Sequence, residues 1–353
     1  MRLKMSYIKK VEISKLFGEL EINWILDPKV NILIGKNGSG KTTLLRLIRN
    51  VMMSSHGTFL SSDSGIDAIR IELAENKYIS ASKEEALFQP HANKLVKPLH
   101  HMNDEVPLSG VYRVESNLFP KEKNNNFSEV INLCYVNTFE MSLEDVDVSK
   151  SRKASSVKTE LDVVLERLMN DWKSYLLKLK ILAEKVTVSF DKKIRQLTAK
   201  ESVDVNDLQA LKNLLNEKTE QIDDINFYKN RFIQRINALF SDSNKRIDFD
   251  KSNAIIFRNH NGKYFSVYEL SSGEKQMLII LLNVLVQENQ PSIILMDEPE
   301  ISLHLAWQHK LIDIIQSLND NCQLIIVTHA AGVFSKGWQD KITKMADITT
   351  GQS

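Results

Sequence analysis

The chain has 353 residues, of which 42% are apolar, enough to bury a sizeable core and to exclude a disordered chain. Lys plus Arg number 46 against 45 Asp plus Glu, so no overall field announces a nucleic-acid binder, although local basic faces stay open. The two cysteines, Cys134 and Cys322, lie far apart and suggest neither a disulfide framework nor a metal cluster; no run of about 18 apolar residues occurs and Met1 to Leu20 carries charges throughout, so a cytoplasmic chain without a membrane partner is expected.

Tyr7 to Ile13 and Leu20 to Ile25 alternate apolar and polar residues and read as half-buried strands, with Gly18 turning between them. This hairpin leads into the apolar strand Val30 to Ile34, which runs into Gly35-Lys36-Asn37-Gly38-Ser39-Gly40-Lys41-Thr42-Thr43. That is the G-x-x-x-x-G-K-[ST] pattern of a phosphate-binding loop, and an apolar helix from about Thr42 to Met53 follows it. Glycines let successive backbone N–H groups converge on phosphate oxygens at a helix N-terminus. Gly35, Asn37, Gly38, Ser39, Gly40, Lys41, Thr42 and Thr43 are therefore the candidate nucleotide-binding set. Lys41 would reach the β/γ-phosphates and Thr42 would ligate Mg²⁺. Ile66 to Ser80 reads as two strands around Asn76, Ala92 to Asn126 as polar and irregular, and Val130 to Val136 as a short strand ending in Asn137-Thr138-Phe139-Glu140.

From Leu161 the apolar residues Leu161, Leu165, Leu168, Trp172, Tyr175, Leu179, Leu182 and Val186 keep a 4-3 spacing, a heptad seam. A second stretch carries Leu208, Leu211, Leu215, Ile222, Ile225, Phe232, Ile236 and Leu239, and the polar segment near Lys200 to Asn206 can turn the chain back. An antiparallel helical arm reaching roughly 50 Å is expected. Two amphipathic helices packed on the domain's own core would use the same seam. Arg246 to Asp250, Asn253 to Arg258 and Tyr264 to Tyr268 then alternate as strands, with Asn261-Gly262 as a hairpin signal.

Leu270-Ser271-Ser272-Gly273-Glu274-Lys275-Gln276 precedes an apolar helix over Met277 to Val286. A serine-glycine loop at a helix N-terminus attracts phosphate, and a serine N-cap followed by an acidic first-turn residue explains the same pattern. Ile293-Ile294-Leu295-Met296-Asp297-Glu298-Pro299 is an apolar strand ending in two carboxylates. Carboxyl ends of buried parallel strands face the ligand crevice, so Asp297 can hold a magnesium shell and Glu298 can polarise an attacking water. The strand Leu324 to Val327 ends in Thr328-His329, which places an imidazole at the same crevice, where a γ-phosphate sensor is expected.

The ordered set of phosphate loop, serine-glycine loop, Asp-Glu strand and His329 resembles the ABC-type ATPase superfamily, in its RecF/SMC/OLD-like branch, over roughly residues 1–50 and 265–340. The resemblance implies an α/β head with a mixed sheet, interrupted by a short antiparallel helical arm: lobe I over 1–150, the arm over 151–242 and lobe II over 243–353. It implies ATP and Mg²⁺ as cofactors, Glu298 as catalytic base, and heads that pair so that Ser271 and Gly273 contact the γ-phosphate of the opposite head. Glu274 and His304 depart from the transporter pattern, and Glu300-Ile301-Ser302-Leu303-His304 looks like RecF, SMC and OLD-type ATPases. The family's magnesium-ligating glutamine has no counterpart here; Asn137 or Glu140 would substitute, and Phe17 is a candidate adenine stacker.

Within that branch the chain is similar to compact ATPase subunits of bacterial antiviral systems, such as the PtuA-type of Septu and retron-linked Septu or the AriA-type of PARIS. That likeness implies a homodimer or higher homo-oligomer that scaffolds and controls an effector, a nuclease or toxin. A RecF/SMC-like repair or chromosome-maintenance ATPase that clamps DNA is the alternative, for which the balanced charge gives no support. A transporter subunit is disfavoured by the three departures. The rate of hydrolysis is left open.

Overall fold

A computed structural model describes residues 7–61, 64–84, 96–97, 110–119, 126–137, 159–198 and 205–351. By packing, the chain divides into two compact units, Met1–Glu160 with Asn289–Ser353, and Leu161–Glu288. Residues 243–288 thus cluster with the helical insertion.

The first unit opens with β1 (Ile8–Leu16), β2 (Leu20–Ile25), β3 (Val30–Ile34) and α1 (Lys41–Met52), followed by β4 (Phe59–Ser61), β5 (Ala68–Leu73), β6 (Tyr78–Lys83), β7 (Val96–Lys97), β8 (Val111–Ser116) and β9 (Leu133–Asn137). β1 and β2 pair antiparallel around Gly18, whose φ of 87° is a left-handed turn conformation. β8 corrects the reading of Ala92 to Asn126 as irregular: Tyr112, Val114 and Ser116 are buried, and the alternation is a strand's. The polar residues between them are its solvent face, which masked the signal.

The second unit holds α2 (Glu160–Thr198), α3 (Val205–Leu239), β10 (Lys245–Phe249), β11 (Ile255–Asn259), β12 (Tyr264–Ser266) and α4 (Ser272–Leu285). α2 and α3 run antiparallel: the Trp172 and Phe232 rings lie 5.8 Å apart, and farther along Lys218 pairs with Asp191 at 2.8 Å. Trp172 also stacks on Phe249 at 5.7 Å and donates Nε1–H to the Asn253 carbonyl at 2.9 Å. The expected seam holds at Leu165, Leu168, Trp172 and Tyr175, which are buried, but Leu182, Leu208 and Leu215 are exposed. Ala183 and Leu214 are half-buried, as are the expected Leu179, Val186, Leu211, Ile222 and Ile225, and Phe190 is buried. A straight α-helix drifts about 20° per heptad against a 3.5-residue repeat, so a stripe kept on one face must insert an extra four-residue step. The described helices form a long helical insertion.

The chain returns to the first unit with β13 (Ser292–Asp297), α5 (Leu305–Gln308), α6 (Leu311–Leu318), β14 (Cys322–Val327), α7 (Ala331–Phe334), β15 (Ile342–Lys344), α8 (Met345–Ile348) and β16 (Thr349–Gly351). A five-stranded sheet has the order β15-β3-β14-β13-β9, with every pairing parallel, and an eight-stranded, mainly antiparallel sheet has the order β16-β2-β1-β5-β6-β8-β4-β7. The protein is an α/β fold with mixed sheets. Every residue of β13 and β14 is buried, as continuous apolar runs in a central parallel sheet require. Trp24, Leu44, Ile48, Phe127, Leu295 and Ile325 share one core, so the sheets and α1 are packed together.

Candidate functional site

The site begins where β3 gives way to α1. Gly38 (φ 76°) and Gly40 (φ 91°) take left-handed backbone that a Cβ disfavours, and a Cβ at Gly40 would come within 2.8 Å of Phe17 Cε2. At Gly35 an added Cβ would lie 2.9 Å from Met345 Cβ. Gly40 caps α1 with no side-chain hydrogen bond, so the first amides of the helix face the loop without a capping oxygen. Ser39 Oγ is buried with no hydrogen-bond partner among the described residues. Lys41 is 4% exposed and its Nζ donates to the Gly35 and Lys36 carbonyls at 3.1 and 3.0 Å. Burial lowers the Lys41 pKa, while the carboxylates of Glu298 and Asp297 act to keep it charged.

Three adjacent strands deliver the remaining groups at their carboxyl ends. β14 lies between β3 and β13, so the loop after β3, Asp297 at the end of β13 and His329 just past β14 meet on one edge. The Thr42 hydroxyl donates to Asp297 Oδ1 at 3.1 Å. Asp297 is 1% exposed; burial pushes its carboxyl above the ordinary range, the neighbouring Glu298 adds to this, and Thr42, Arg46 and Lys41 oppose it. The Glu298 amide donates to the Val327 carbonyl at 2.8 Å, and its backbone has a φ of 45°, left-handed for a residue with a Cβ. His329 Nε2 lies 3.3 Å from Glu298 Oε1.

Phe17, Asn37, Gly38, Ser39, Gly40, Lys41, Thr42, Thr43, Glu298 and His329 line one open cleft of about 330 Å³. Of the expected residues in this unit, Asp297 sits behind the lining, reached through Thr42, and Gly35 is held by Lys41. Asn137 ends β9 directly beside Asp297 in the sheet register, whereas Glu140 lies outside the described residues. One participant has a role that the sequence, which shows it only as the start of the Glu300 to His304 segment, does not disclose. Glu300 Oε1 accepts from the Thr328 hydroxyl and from the His329 and Ala330 amides, the latter two at 3.3 Å. An acidic residue two positions past the Asp-Glu pair reads as loop surface, and only its burial reveals the link. His304 caps α5, its Nδ1 accepting from the Ala306 amide at 3.4 Å.

The serine-glycine segment belongs to the second unit. Ser271 is the N-cap of α4 in a capping box with Glu274: the Ser271 amide donates to Glu274 Oε2 at 2.9 Å and the Ser271 hydroxyl donates to the same oxygen at 3.0 Å. Glu274 is also bound by Lys245 at 2.7 Å and by the Ser243 hydroxyl at 2.7 Å. Burial would raise its carboxyl, but Lys245 and the Ser271 amide outweigh burial and hold it below the usual range. Gly273 lies in the first turn of the same helix.

A phosphate-shaped loop, a lysine, a hydroxyl–carboxylate pair and a carboxylate–imidazole pair around one cleft can bind a phosphate chain with a cation and move a proton. The family described as "AAA ATPase domain" matches residues 7–333. The chain belongs to that family. This ATPase is 22% identical over 373 residues to "Retron Vc95 probable ATPase" of Vibrio cholerae serotype O1 biovar El Tor, covering 90% of this chain and 68% of that protein. It is 30% identical over 87 residues to "Probable metal transport system ATP-binding protein" of Chlamydia muridarum, covering 23% of this chain and only 36% of that protein. Among solved structures it is similar to the Smc head domain with an extended coiled coil from Pyrococcus furiosus, at 16% identity and a TM-score of 0.46, covering 99% of this ATPase and 97% of that chain.

The cleft fits a nucleotide and a divalent cation. Ser39 Oγ has no acceptor among the described residues, the first α1 amides have no side-chain cap, and added side-chain carbons at Gly35 and Gly40 would meet Met345 and Phe17. Thr42 and Asp297 are the hard oxygen ligands that Mg²⁺ prefers. No helix among the described residues is long and apolar enough to cross a membrane.

Proposed function

We propose that the protein binds and hydrolyses ATP with Mg²⁺ at the β3–α1 cleft, and that two copies join head to head around nucleotide to control a partner effector, such as a nuclease, in antiviral defence. The observation that carries the hydrolytic reading is the meeting of Lys41, Thr42, Asp297, Glu298 and His329 at the ends of three adjacent parallel strands. Thr42 and Asp297 would hold Mg²⁺, whose chemistry there is to neutralise charge on phosphate oxygens. The loop amides of Asn37 to Thr43 and the Lys41 ammonium bind and orient the triphosphate; Lys41 releases the Gly35 and Lys36 carbonyls to do so. Glu298 accepts a proton from the attacking water, and His329, facing it at 3.3 Å, orients the γ-phosphate end of the cleft.

In the paired state, Ser271 and Gly273 of one copy close over the loop of the other. The division into lobe I (1–150), arm (151–242) and lobe II (243–353) goes with this reading, as does membership of the RecF/SMC/OLD-like branch, supported by the order of the motifs. Support for a defence role is the match to the retron ATPase over 90% of this chain. A shared γ-phosphate makes the pair a two-state switch that hydrolysis resets.

Glu298→Gln tests the core of this reading: ATP binding persists, a nucleotide-dependent dimer accumulates in size-exclusion chromatography, and turnover is lost. Retained hydrolysis removes Glu298 from its role. For the task, co-expression with the product of the adjacent gene decides: an ATP-dependent complex with a toxic or nucleolytic effector supports the defence reading. DNA-stimulated hydrolysis by the chain alone supports the RecF/SMC-like alternative instead.

A further inference from the structure

Glu300 follows Glu298 by two residues, is 7% exposed, and does not line the cleft. Its Oε1 gathers three donors, the Thr328 hydroxyl and the amides of His329 and Ala330. The Thr328 hydroxyl in turn accepts from the Ala330 amide at 2.9 Å, which closes a compact ring around the start of the turn. Thr328 is itself fully buried, and its amide donates to the Leu33 carbonyl at 3.1 Å, tying the same turn to the strand that carries the phosphate loop. The other Glu300 oxygen, Oε2, is buried with no hydrogen-bond partner among the described residues.

Burying a carboxylate is expensive unless it is well bonded, and here the hydrogen bonds from other described residues all fall on one oxygen. The groups it gathers belong to the turn after β14, while Glu300 itself belongs to the turn after β13, so one side chain bridges the two strand ends that carry His329 and Glu298. We infer that Glu300 is a positioning residue for hydrolysis: by fixing the backbone at Thr328, His329 and Ala330, it sets the imidazole of His329 against the Glu298 carboxylate without touching nucleotide itself. This rests on the reading of Glu298 and His329 as the hydrolytic pair. A tie whose only task was to hold two turns together would lower stability when cut, and would act equally whether or not His329 was present.

The test is a double-mutant cycle on steady-state ATP hydrolysis, with nucleotide affinity measured beside it. Glu300→Ala lowers kcat on the order of 10–100-fold, the scale of a misplacement near 1 Å, while KM and nucleotide affinity change by less than about twofold. Glu300→Gln keeps an oxygen acceptor for the same donors and stays within roughly threefold of the parent. In a His329→Ala background, Glu300→Ala causes no further loss. Should Glu300→Ala fail to fold, Thr328→Val cuts the same link from the other side and lowers kcat several-fold only while His329 is present. Multiplicative losses in the double variants, or a loss carried by KM, overturn the positioning role. Glu298→Gln run in parallel separates the two failures: if it still hydrolyses ATP, the hydrolytic pair itself is misassigned, and if it does not, multiplicative losses refute Glu300 alone.

Discussion

Glu298 occupies left-handed backbone at φ 45°, which costs a residue with a Cβ roughly 1–2 kcal/mol. Glycine escapes that cost but gives up about 0.5–1 kcal/mol more backbone freedom on folding. The difference favours Glu298→Gly by about 0.5–1 kcal/mol. Removing the carboxylate adds to this, because Asp297 and Glu300, already raised by burial, are raised further by its charge. Loss of the contact to His329 and of the attraction to the buried Lys41 ammonium works the other way and keeps the net near the lower end. One kcal/mol shifts the melting temperature of a unit of 150–250 residues by about 2–4 °C. Nucleotide-free Glu298→Gly is therefore expected to melt about 1–2 °C above the parent, and above Glu298→Gln, which sheds the charge but keeps the strained backbone, while neither is expected to hydrolyse ATP. Differential scanning calorimetry or urea titration reads the order, and a glycine variant less stable than the glutamine variant refutes the claim that backbone strain is held at this position.

Asp297→Asn should stabilise the nucleotide-free protein at neutral pH. Burial raises the Asp297 carboxyl in the folded state, so the native protein holds that proton to higher pH than the unfolded chain; stability falls as pH rises from the ordinary value through the raised one, and the loss persists above it. The melting advantage of the asparagine variant should shrink as the assay approaches about pH 4, and a constant advantage across pH would contradict the assignment. Lys41→Ala removes a charge-assisted bond to phosphate worth roughly 1.5–3 kcal/mol, so ATP affinity measured by calorimetry should drop about 10–100-fold; unchanged affinity would sink the phosphate-loop assignment.

The parts of the molecule legible in the sequence are those where one physical rule dominates. β13 and β14 are buried on both faces and read as unbroken apolar runs, and the loop after β3 needs glycine at Gly38 and Gly40 because their backbone is left-handed. Where two rules compete, the reading slipped. β8 alternates, but its exposed Arg113 and Glu115 sit in a long polar stretch and hid the strand. Leu182, Leu208 and Leu215 satisfy a heptad yet lie off the buried face, because a repeat of 3.5 and a helix of 3.6 part company over several turns. Glu300 is visible in the sequence only as the start of the Glu300 to His304 segment, and its bridging role could not be read there, since it comes from partners past another strand at Thr328, His329 and Ala330. The capping role of Ser271 and Glu274 was visible as one of two explanations for the same residues, and the geometry contains the cap.

Several departures from the rules that fold the rest of the first unit gather at the ends of β3, β13 and β14: strained backbone at Glu298, buried carboxyls at Asp297 and Glu300, a buried Ser39 hydroxyl with no hydrogen-bond partner among the described residues, and an ammonium at Lys41 turned onto backbone carbonyls. Local violations of this kind persist where function needs them. A triphosphate would give acceptors to the donors at Ser39, Lys41 and α1, and a divalent cation would add opposite charge at the buried Asp297 carboxyl; a triphosphate alone would set its negative charge beside that carboxyl, and a cation alone would lack the phosphate oxygens. Binding of the two must then be cooperative, and by linkage each raises the affinity of the other by the same factor. The stabilisation by ATP with Mg²⁺ should exceed the sum of the separate effects, and Asp297→Asn should abolish the excess while leaving the metal-independent part. Strict additivity in the parent protein would mean that Thr42 and Asp297 do not serve the ligand that Lys41 binds.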